Sequence, residues 1–255
     1  RSSAALAVGN YVWIAGAAGK QTIVMALDQT GTVQLTFRAP VKAANPVGSN
    51  TGARFYGGIG LASGAGKVWV ADQAAGRVYG ISPTTGKLQR TIKAPSPRAV
   101  AVQGSRAWVT TTNGNSVSVY SVTSGARVAR IPMGGDTYVL APVGQTMWVF
   151  TQESVYGVSL KTLKRASKPA ATFFVDSGWA GAVATPSGIW ASNYLAEAVH
   201  FNPATSSVPI NAGWSNNDIA GGVTAVGSTA WVANGSGYGF PLGNGVTRIT
   251  PTAAG

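Results

Sequence analysis

A short pattern of apolar and aromatic residues recurs along the whole chain. A tryptophan followed by an aliphatic or small residue appears at six positions, Trp13, Trp69, Trp108, Trp148, Trp190 and Trp231. The intervals between these positions are 56, 39, 40, 42 and 41 residues. Four of the five intervals are therefore close to 40 residues, and the long one carries an insertion. Four short strands in about 40 residues are typical of a β-propeller blade.

Within each repeat, runs of Val, Ile and aromatic residues alternate with Gly- and Ser-containing turns. In the third repeat these runs predict four strands, called A to D in chain order, over residues 99–102, 107–110, 117–120 and 127–131. No segment has a 3.6-residue apolar period long enough to predict a helix. The sequence therefore predicts one all-β domain, a six-bladed β-propeller of four-stranded blades. The blades are expected near residues 1–42, 57–95, 96–134, 135–175, 176–215 and 216–255.

Two neighbouring segments carry a more specific signature. They read RVYGISPTTGKLQRTIKAPSPRAVAVQGSRAWVT and SVSVYSVTSGARVARIPMG. This signature resembles the repeat of the YVTN family of propellers, which joins a Trp-Val-Thr/Ala strand to a V-x-V-I-D-like strand, a T-x-G turn and a T-I-x-x-G corner. The match is strong over residues 68–134, fair over 147–168 and 230–252, and weak in the first and fifth units. The resemblance implies a six- or seven-bladed propeller, often exported, as in cell-surface proteins and periplasmic binders.

Two segments depart from the repeat. Residues 41–58 are longer than a blade junction needs, and they predict a surface loop on a rim where binding determinants are commonly built. In the last blade, the sequence after Gly245 matches strand C and the following turn, and no strand D follows. Three interpretations remain open: the chain is part of a longer polypeptide that supplies the strand, the last blade is three-stranded, or a neighbouring chain donates the strand.

Composition agrees with many strands joined by turns. The 255 residues include 34 Gly and 8 Trp, and charged residues make up only 10%. Cysteine is absent, which excludes disulfides and thiolate metal sites. No apolar run approaches the ~20 residues that span a bilayer. Low charge, many Thr, Asn and Gly residues and no initial Met favour an extracellular, cell-surface or periplasmic protein.

The chain has 19 Lys and Arg against 7 Asp and Glu, a formal charge of +12. In a propeller, the D-to-A corners and B-to-C turns lie on one face, and the other two kinds of turn lie on the opposite face. Six of the seven acids fall on the first face: Asp72, Asp136, Glu153, Asp176, Glu197 and Asp218. Most bases fall near C-to-D turns or on outer strands. The sequence thus predicts an acid-bearing face and a basic underside and rim.

The acid-bearing face is also expected to collect aromatic residues from outside the repeat positions. Aromatic rings beside carboxylates and amides suit sugars, which stack on the rings and hydrogen-bond through their hydroxyls. We expect the ligand-binding residues to be Arg54, Tyr56, Arg98, Asp136, Asp176, Trp179, Trp214 and Asp218. The alternative for the two tryptophans is gap-filling between blades. The three aspartates could hold Ca²⁺ at the channel mouth, or each could instead bond to the backbone of its own turn.

Several activities lack support in the sequence. His200 is the single histidine, so metal sites and mechanisms that need two histidines are excluded; it lies in a predicted strand and is expected to be structural. No G-x-S-x-G motif occurs. Nucleic-acid binding is disfavoured because the aromatic residues are expected on the acidic face, away from most bases.

Three functions are compatible with these features. The first is an exported, non-enzymatic binding or sensor propeller that recognises a glycan or another polar ligand on the acid-bearing face, without a cofactor. The second is a structural surface or assembly protein that takes a strand from a neighbouring chain. The third is a metal-assisted hydrolase or lyase acting at the channel mouth.

Overall fold

The computed structural model describes most of the chain. The described residues are 2–18, 20–41, 59–112, 114–173, 178–193, 197–213, 218–226, 229–236 and 245–249. They form twenty-three strands in six antiparallel sheets, and none of them lies in a helix. The predicted all-β, six-bladed propeller is confirmed, and its last blade has three strands. The chain divides into two compact units, Arg1–Gly134 and Gly135–Gly255, each containing three sheets.

In the first unit, each sheet is a meander whose strands pair in chain order. Sheet 1 consists of β1 (Ser2–Val8), β2 (Tyr11–Ala18), β3 (Gln21–Leu27) and β4 (Val33–Arg38). Sheet 2 consists of β5 (Ile59–Gly64), β6 (Lys67–Asp72), β7 (Arg77–Ile81) and β8 (Leu88–Lys93). Sheet 3 consists of β9 (Pro97–Gln103), β10 (Arg106–Thr111), β11 (Ser116–Ser121) and β12 (Arg127–Pro132).

The second unit repeats this arrangement. Sheet 4 consists of β13 (Thr137–Val143), β14 (Thr146–Thr151), β15 (Ser154–Ser159) and the short β16 (Ala171–Thr172). Sheet 5 consists of β17 (Trp179–Thr185), β18 (Gly188–Asn193), β19 (Glu197–Asn202) and β20 (Ser207–Gly213). Sheet 6 consists of β21 (Asp218–Val226), β22 (Thr229–Ser236) and β23 (Gly245–Ile249).

The repeated tryptophans lie on the second strand of each sheet, and most of them fill the space between neighbouring sheets. Trp13, Trp69, Trp108 and Trp190 are completely buried. Fully burying a large apolar side chain contributes about 1.5–3 kcal/mol, so a Trp in each repeat supplies much of the apolar contact between sheets. This explains why the 40-residue spacing locates the blades.

The innermost strands of neighbouring sheets pack closely. A Cβ atom on Gly64 of β5 would lie 2.7 Å from Cβ of Val102 on β9, and one on Gly60 would lie 2.8 Å from the carbonyl oxygen of Arg98. Glycine is therefore required at both positions by the approach of β9.

The outer strands of the first unit share one burial pattern. In β4, β8 and β12 the fifth residue is buried, and the first, second, fourth and sixth are exposed. The buried residues are Phe37, Ile92 and Ile131. Phe37 packs against Tyr79 of sheet 2, with ring centroids 5.6 Å apart. One apolar residue on each outer strand thus fixes that strand, while the rest of its surface faces solvent.

The third blade shows how well the strand bounds were predicted. Its four predicted strands are confirmed, and each observed strand extends beyond the predicted bounds. The largest difference is at the start of β9, where the pairing with β10 shifts register and Pro97 pairs with Thr111. The hydroxyl of Thr110 accepts a hydrogen bond from the backbone N–H of Ala99 at 3.0 Å within this bulge. As a result Arg98, expected in a corner, lies inside the strand.

Candidate functional site

The eight predicted ligand-binding residues have different outcomes. Four of them, Arg54, Tyr56, Asp176 and Trp214, lie outside the described residues. Asp218 begins β21, and its side chain is also outside what the structure describes. Arg98 is half-buried and belongs to the first unit, whereas Asp136 and Trp179 belong to the second. The site described below is built from the second unit alone.

Trp179 occupies a position that corrects its predicted role. Its side chain is 1% exposed, and its ring makes edge contacts with Phe150 and Phe173, each with centroids 5.2 Å apart. The indole N–H donates a hydrogen bond to the backbone carbonyl of Thr151 at 2.8 Å. A ring buried in this way has no face available for stacking on a sugar. Trp179 fills a gap between sheets 4 and 5, the alternative that the sequence left open.

The same hydrogen bond places Trp179 directly behind an exposed polar turn. This turn joins β14 to β15 and consists of Thr151, Gln152, Glu153 and Ser154. The Thr151 hydroxyl donates to the carbonyl of Ser154 at 3.0 Å and accepts from the N–H of Ser154 at 3.1 Å. Because Thr151 closes the turn, the two middle residues project outward, and both are exposed.

Asp136 lies beside this turn, immediately before β13. Its backbone carbonyl accepts a hydrogen bond from the N–H of Gln152 at 3.1 Å. The Asp136 side chain is partly exposed, and Glu153 is exposed. Two residues with carboxylates and one with an amide therefore lie at one end of sheet 4, with the backbones of Asp136 and Gln152 in direct contact. We call these three residues, Asp136, Gln152 and Glu153, the sheet 4 cluster.

The carboxylates of the sheet 4 cluster differ from the two acids of the first unit. Each of those two accepts hydrogen bonds from backbone N–H groups of its own turn. The Asp28 carboxylate accepts from the N–H groups of Thr30 at 2.9 Å and Thr32 at 3.0 Å, and Asp72 accepts from the N–H of Ala75 at 3.0 Å. Among the described residues, neither carboxylate of the sheet 4 cluster makes a hydrogen bond or an ion pair. Turn capping, the alternative role predicted for Asp136, therefore applies to Asp28 and Asp72 and not to Asp136 in the described part of the chain.

Asp72 shows the physical consequence of burying such an acid. It is 1% exposed and ends β6, and burial raises its pKa, while the Thr22 hydroxyl and the backbone N–H groups of the turn act in the opposite direction. Burial, together with the negative charge of Asp72, raises the pKa of Tyr79 to about 12. Asp72 lies on the predicted acidic face, but it is enclosed between sheets 1 and 2 and cannot contact an external ligand directly.

His200 has the structural environment that its position in the sequence predicted. It lies in the middle of β19, is 4% exposed, and packs on Trp190 with ring centroids 4.8 Å apart. Its Nε2 is 3.4 Å from the hydroxyl of Ser187, and its Nδ1 has no hydrogen-bond partner among the described residues. Burial lowers the pKa of His200. No carboxylate orients this ring in the described residues, so the Ser187–His200 pair lacks the third group of a hydrolytic triad.

The predicted calcium site remains a prediction. Of its three aspartates, only the side chain of Asp136 is described. Within the described ranges, no three Asp, Glu, His or Cys side chains come together as a metal site would require. The sheet 4 cluster could supply carboxylate and amide oxygens, which are the ligands that Ca²⁺ prefers.

Two features of the site were missed by reasoning from the sequence. Glu153 was assigned to the correct kind of turn but was not selected, and Gln152 was not considered. The repeat itself could have indicated both residues. Thr151 occupies the same repeat position as Asp72, three residues after the tryptophan, so Gln152 and Glu153 begin the B-to-C turn. The second missed feature is that the excess of bases lies entirely in the first unit.

The comparisons with known proteins agree with the fold. The structure is similar to Kuenenia stuttgartiensis hydrazine synthase, with 15% identity, a TM-score of 0.63, and coverage of 81% of this chain and 67% of that one. It is similar to the computationally designed Ika8 protein, with 11% identity, a TM-score of 0.60, and coverage of 92% and 68%. It is also similar to BamB from Moraxella catarrhalis, with 14% identity, a TM-score of 0.56, and coverage of 90% and 68%.

These similarities establish the propeller fold alone, because all three identities are low. No family model and no curated protein matches the sequence, so the resemblance to the YVTN family is not confirmed. In the described part of the chain, no helix is long and apolar enough to cross a bilayer. The chain is thus assigned to the six-bladed β-propeller fold, and its function rests on its own residues.

Proposed function

We propose that this protein is an exported, non-enzymatic binding propeller that recognises a glycan or a similar polar ligand at the sheet 4 cluster. The observation that carries the proposal is the state of Asp136 and Glu153. Asp136 is partly exposed and Glu153 is exposed, and neither carboxylate makes a hydrogen bond within the described residues. They are therefore available to a ligand, unlike Asp28 and Asp72.

The chemistry of the cluster suits a ligand rich in hydroxyl groups. Each carboxylate accepts hydrogen bonds, and the Gln152 amide both donates and accepts them. Hydrogen bonds to charged groups contribute about 1.5–3 kcal/mol each. A ligand that bonds both Asp136 and Glu153 would gain enough to bind in the range typical of weak, specific recognition.

The turn that carries two of these residues is also held in place before any ligand arrives. Thr151 closes it through its hydroxyl, and Trp179 anchors the Thr151 carbonyl from the buried side. A preorganised turn loses less conformational entropy on binding than a loose one. In this proposal Trp179 is a positioning residue and does not contact the ligand.

Glycan-array screening followed by calorimetry of the bound glycan tests the proposal. We expect the D136N/E153Q double variant to bind at least about tenfold more weakly, which corresponds to about 1.4 kcal/mol. The matched control is D28N, which makes the same chemical change in a turn of the first unit and should retain affinity. Repeating the titration with Ca²⁺ and with EDTA would reveal whether the cluster binds its ligand through that ion. Failure of the wild-type protein to bind any glycan, or an unchanged affinity in the double variant, would overturn the proposal.

The second candidate function is assembly through strand exchange. It is favoured by sheet 6, which has three strands among the described residues where each of the other five sheets has four. An incomplete sheet leaves backbone groups that a strand from another chain can pair with. Light scattering over a range of concentrations tests this candidate, since a mass equal to one chain at every concentration would count against it.

A further inference from the structure

The net positive charge of this protein is confined to its first unit. Residues 1–134 contain fourteen Lys and Arg against two Asp, a net charge of +12. Residues 135–255 contain five Lys and Arg against five Asp and Glu, a net charge of zero. A general role in solubility would not require every excess charge to lie in one half of the chain, so the first unit is the place to look for an anionic partner.

Many of these charges lie on the outer strands of sheets 1 to 3. We call six of them the basic band: Arg38 on β4, Lys87 just before β8, Arg90 and Lys93 on β8, and Arg127 and Arg130 on β12. Five are exposed and Arg90 is half-buried. The band therefore occupies corresponding parts of three consecutive sheets.

Contacts between neighbouring sheets make the band continuous. Gly86 adjoins Lys87 and packs on β4, because a Cβ atom at this position would lie 3.4 Å from Cβ of Leu35. Gly125 packs on β8 in the same way, 3.4 Å from the carbonyl oxygen of Thr91 and 4.0 Å from Cδ of Arg90. Both glycines have positive φ angles, +67° and +77°, which glycine adopts without strain. Each turn thus brings the bases of one sheet beside the outer strand of the preceding sheet.

The first unit has two acids against its fourteen bases, so little negative charge offsets the band. Its two acids are Asp28 and Asp72. The Asp28 carboxylate is occupied by Thr30, Thr32 and Gln34 of its own turn, with Gln34 Nε2 donating at 2.6 Å. Asp72 is buried between sheets. The positive potential of the band therefore extends into solvent, where it attracts anions.

Protection of sheet edges does not account for these bases. Lys and Arg on an outer strand prevent unwanted pairing between molecules. The outer strand of sheet 5, β20, has the sequence SVPINAG and carries no charge at all. An outer strand of this protein can thus lack basic residues altogether. Edge protection therefore does not explain why six basic residues lie on or beside β4, β8 and β12.

We infer that the basic band is a docking surface for a linear acidic polysaccharide. Its bases match sulfate or carboxylate groups, and the exposed side chains of Thr36, Gln89 and Thr91 between them can hydrogen-bond to sugar hydroxyls. Single-stranded nucleic acid requires aromatic platforms for its bases. The exposed large apolar residues on these strands are aliphatic, namely Val33, Leu88 and Val128.

A polymer suits this band better than a small anion. Facing sheets pack about 10 Å apart, and electrostatic interactions at physiological salt are screened over about 8 Å. A small anion would interact electrostatically mainly with the bases of one sheet, whereas a polymer can contact all three sheets at once. Its affinity should therefore depend steeply on salt, with a slope of about −4 in a logarithmic plot if six charges are neutralised, by analogy with single-stranded polyelectrolytes.

Heparin binding, measured by calorimetry between 50 and 200 mM NaCl, tests the inference. We expect the wild-type protein to lose affinity by about 10²-fold over this range. The R90Q/R127Q/R130Q variant should bind at least tenfold more weakly at 100 mM and show about half the salt slope. The matched control is K161Q/K164Q/K168Q, which removes three exposed charges from the second unit and should bind like the wild type.

The outcomes separate this inference from its competitors. Equal losses in the two triple variants would mean that only net charge matters and would overturn it. Stronger binding to duplex DNA or to vesicles of anionic phospholipid than to heparin would overturn the choice of partner. Should the first triple variant fail to fold, R127E alone, at an exposed position, gives the same test. Because the band and the sheet 4 cluster lie in different units, D136N/E153Q should leave heparin binding unchanged, so failure of one proposal is distinguishable from failure of the other.

Discussion

Replacing Trp179 with Phe tests the packing role that the structure gives it. The matched control is Trp148→Phe in the same unit. Trp179 packs edge-on against Phe150 at 5.2 Å, and Trp148 packs edge-on against Phe201 at 5.0 Å. The two differ in their indole N–H groups. That of Trp179 donates to the carbonyl of Thr151 at 2.8 Å, whereas that of Trp148 is buried without a partner among the described residues.

The magnitude follows from this difference. Both substitutions remove the same atoms, but Trp148 is half-buried and Trp179 is buried, so the cavity term also makes Trp179→Phe the more costly change. Trp179→Phe also deprives a buried carbonyl of its donor, which costs about 1–3 kcal/mol, and Trp148→Phe removes an unsatisfied donor, which returns a similar amount. We therefore expect Trp179→Phe to be more destabilising by at least about 2 kcal/mol.

Urea denaturation followed by circular dichroism measures the effect. With an m-value of about 2 kcal/mol/M, the two midpoints should differ by about 1 M. The first unit offers an independent repetition, because the N–H of buried Trp69 donates to the Gly64 carbonyl at 3.0 Å while that of buried Trp108 has no partner in the described part of the chain. Equal midpoints within both pairs would refute the reasoning.

Two further predictions concern His200 and Gly64. Because burial lowers the pKa of His200, its unfolded state binds a proton near pH 6.5 more readily than the folded state, so the free energy of unfolding should decrease as the pH falls below about 6.5. Urea denaturation at pH 7.5 and 5.5 should show this decrease in the wild type and a smaller one in His200→Phe; identical pH dependence would contradict it. Gly64→Ala should destabilise the first unit by about 1–3 kcal/mol, because the new Cβ would lie 2.7 Å from Val102. Its control is Gly135→Ala, whose Cβ would meet no atom within 4 Å, and equal melting temperatures of the two variants would show that β9 moves aside.

The architecture could be predicted from the sequence because one residue type marks each blade. In four of the six blades the tryptophan on the second strand is completely buried, so the spacing of this residue gives the period of the fold. Turn residues such as Gly125 then place the outer strands. The β-bulge at Arg98 could not be predicted, because it depends on a hydrogen bond from Ala99 to Thr110 across two strands.

The candidate site was harder to predict, since a position within the repeat does not give the direction of a side chain. Trp179 and Asp136 both adjoin inner strands that start on the predicted acid-bearing face, yet one is enclosed by two aromatic rings and the other reaches solvent. Asp72 and Glu153 are both next to B-to-C turns, yet only Asp72 is enclosed between sheets. Whether an acid is buried is decided by the neighbouring sheet, which no local pattern describes.

The unequal charge of the two units also bears on contacts between copies of this protein. Two first units, each with a net charge of +12, repel one another, most strongly at low ionic strength. The second unit has no net charge and contains sheet 6, for which the structure describes three strands. A contact between two copies through their second units therefore meets less charge repulsion than one through their first units.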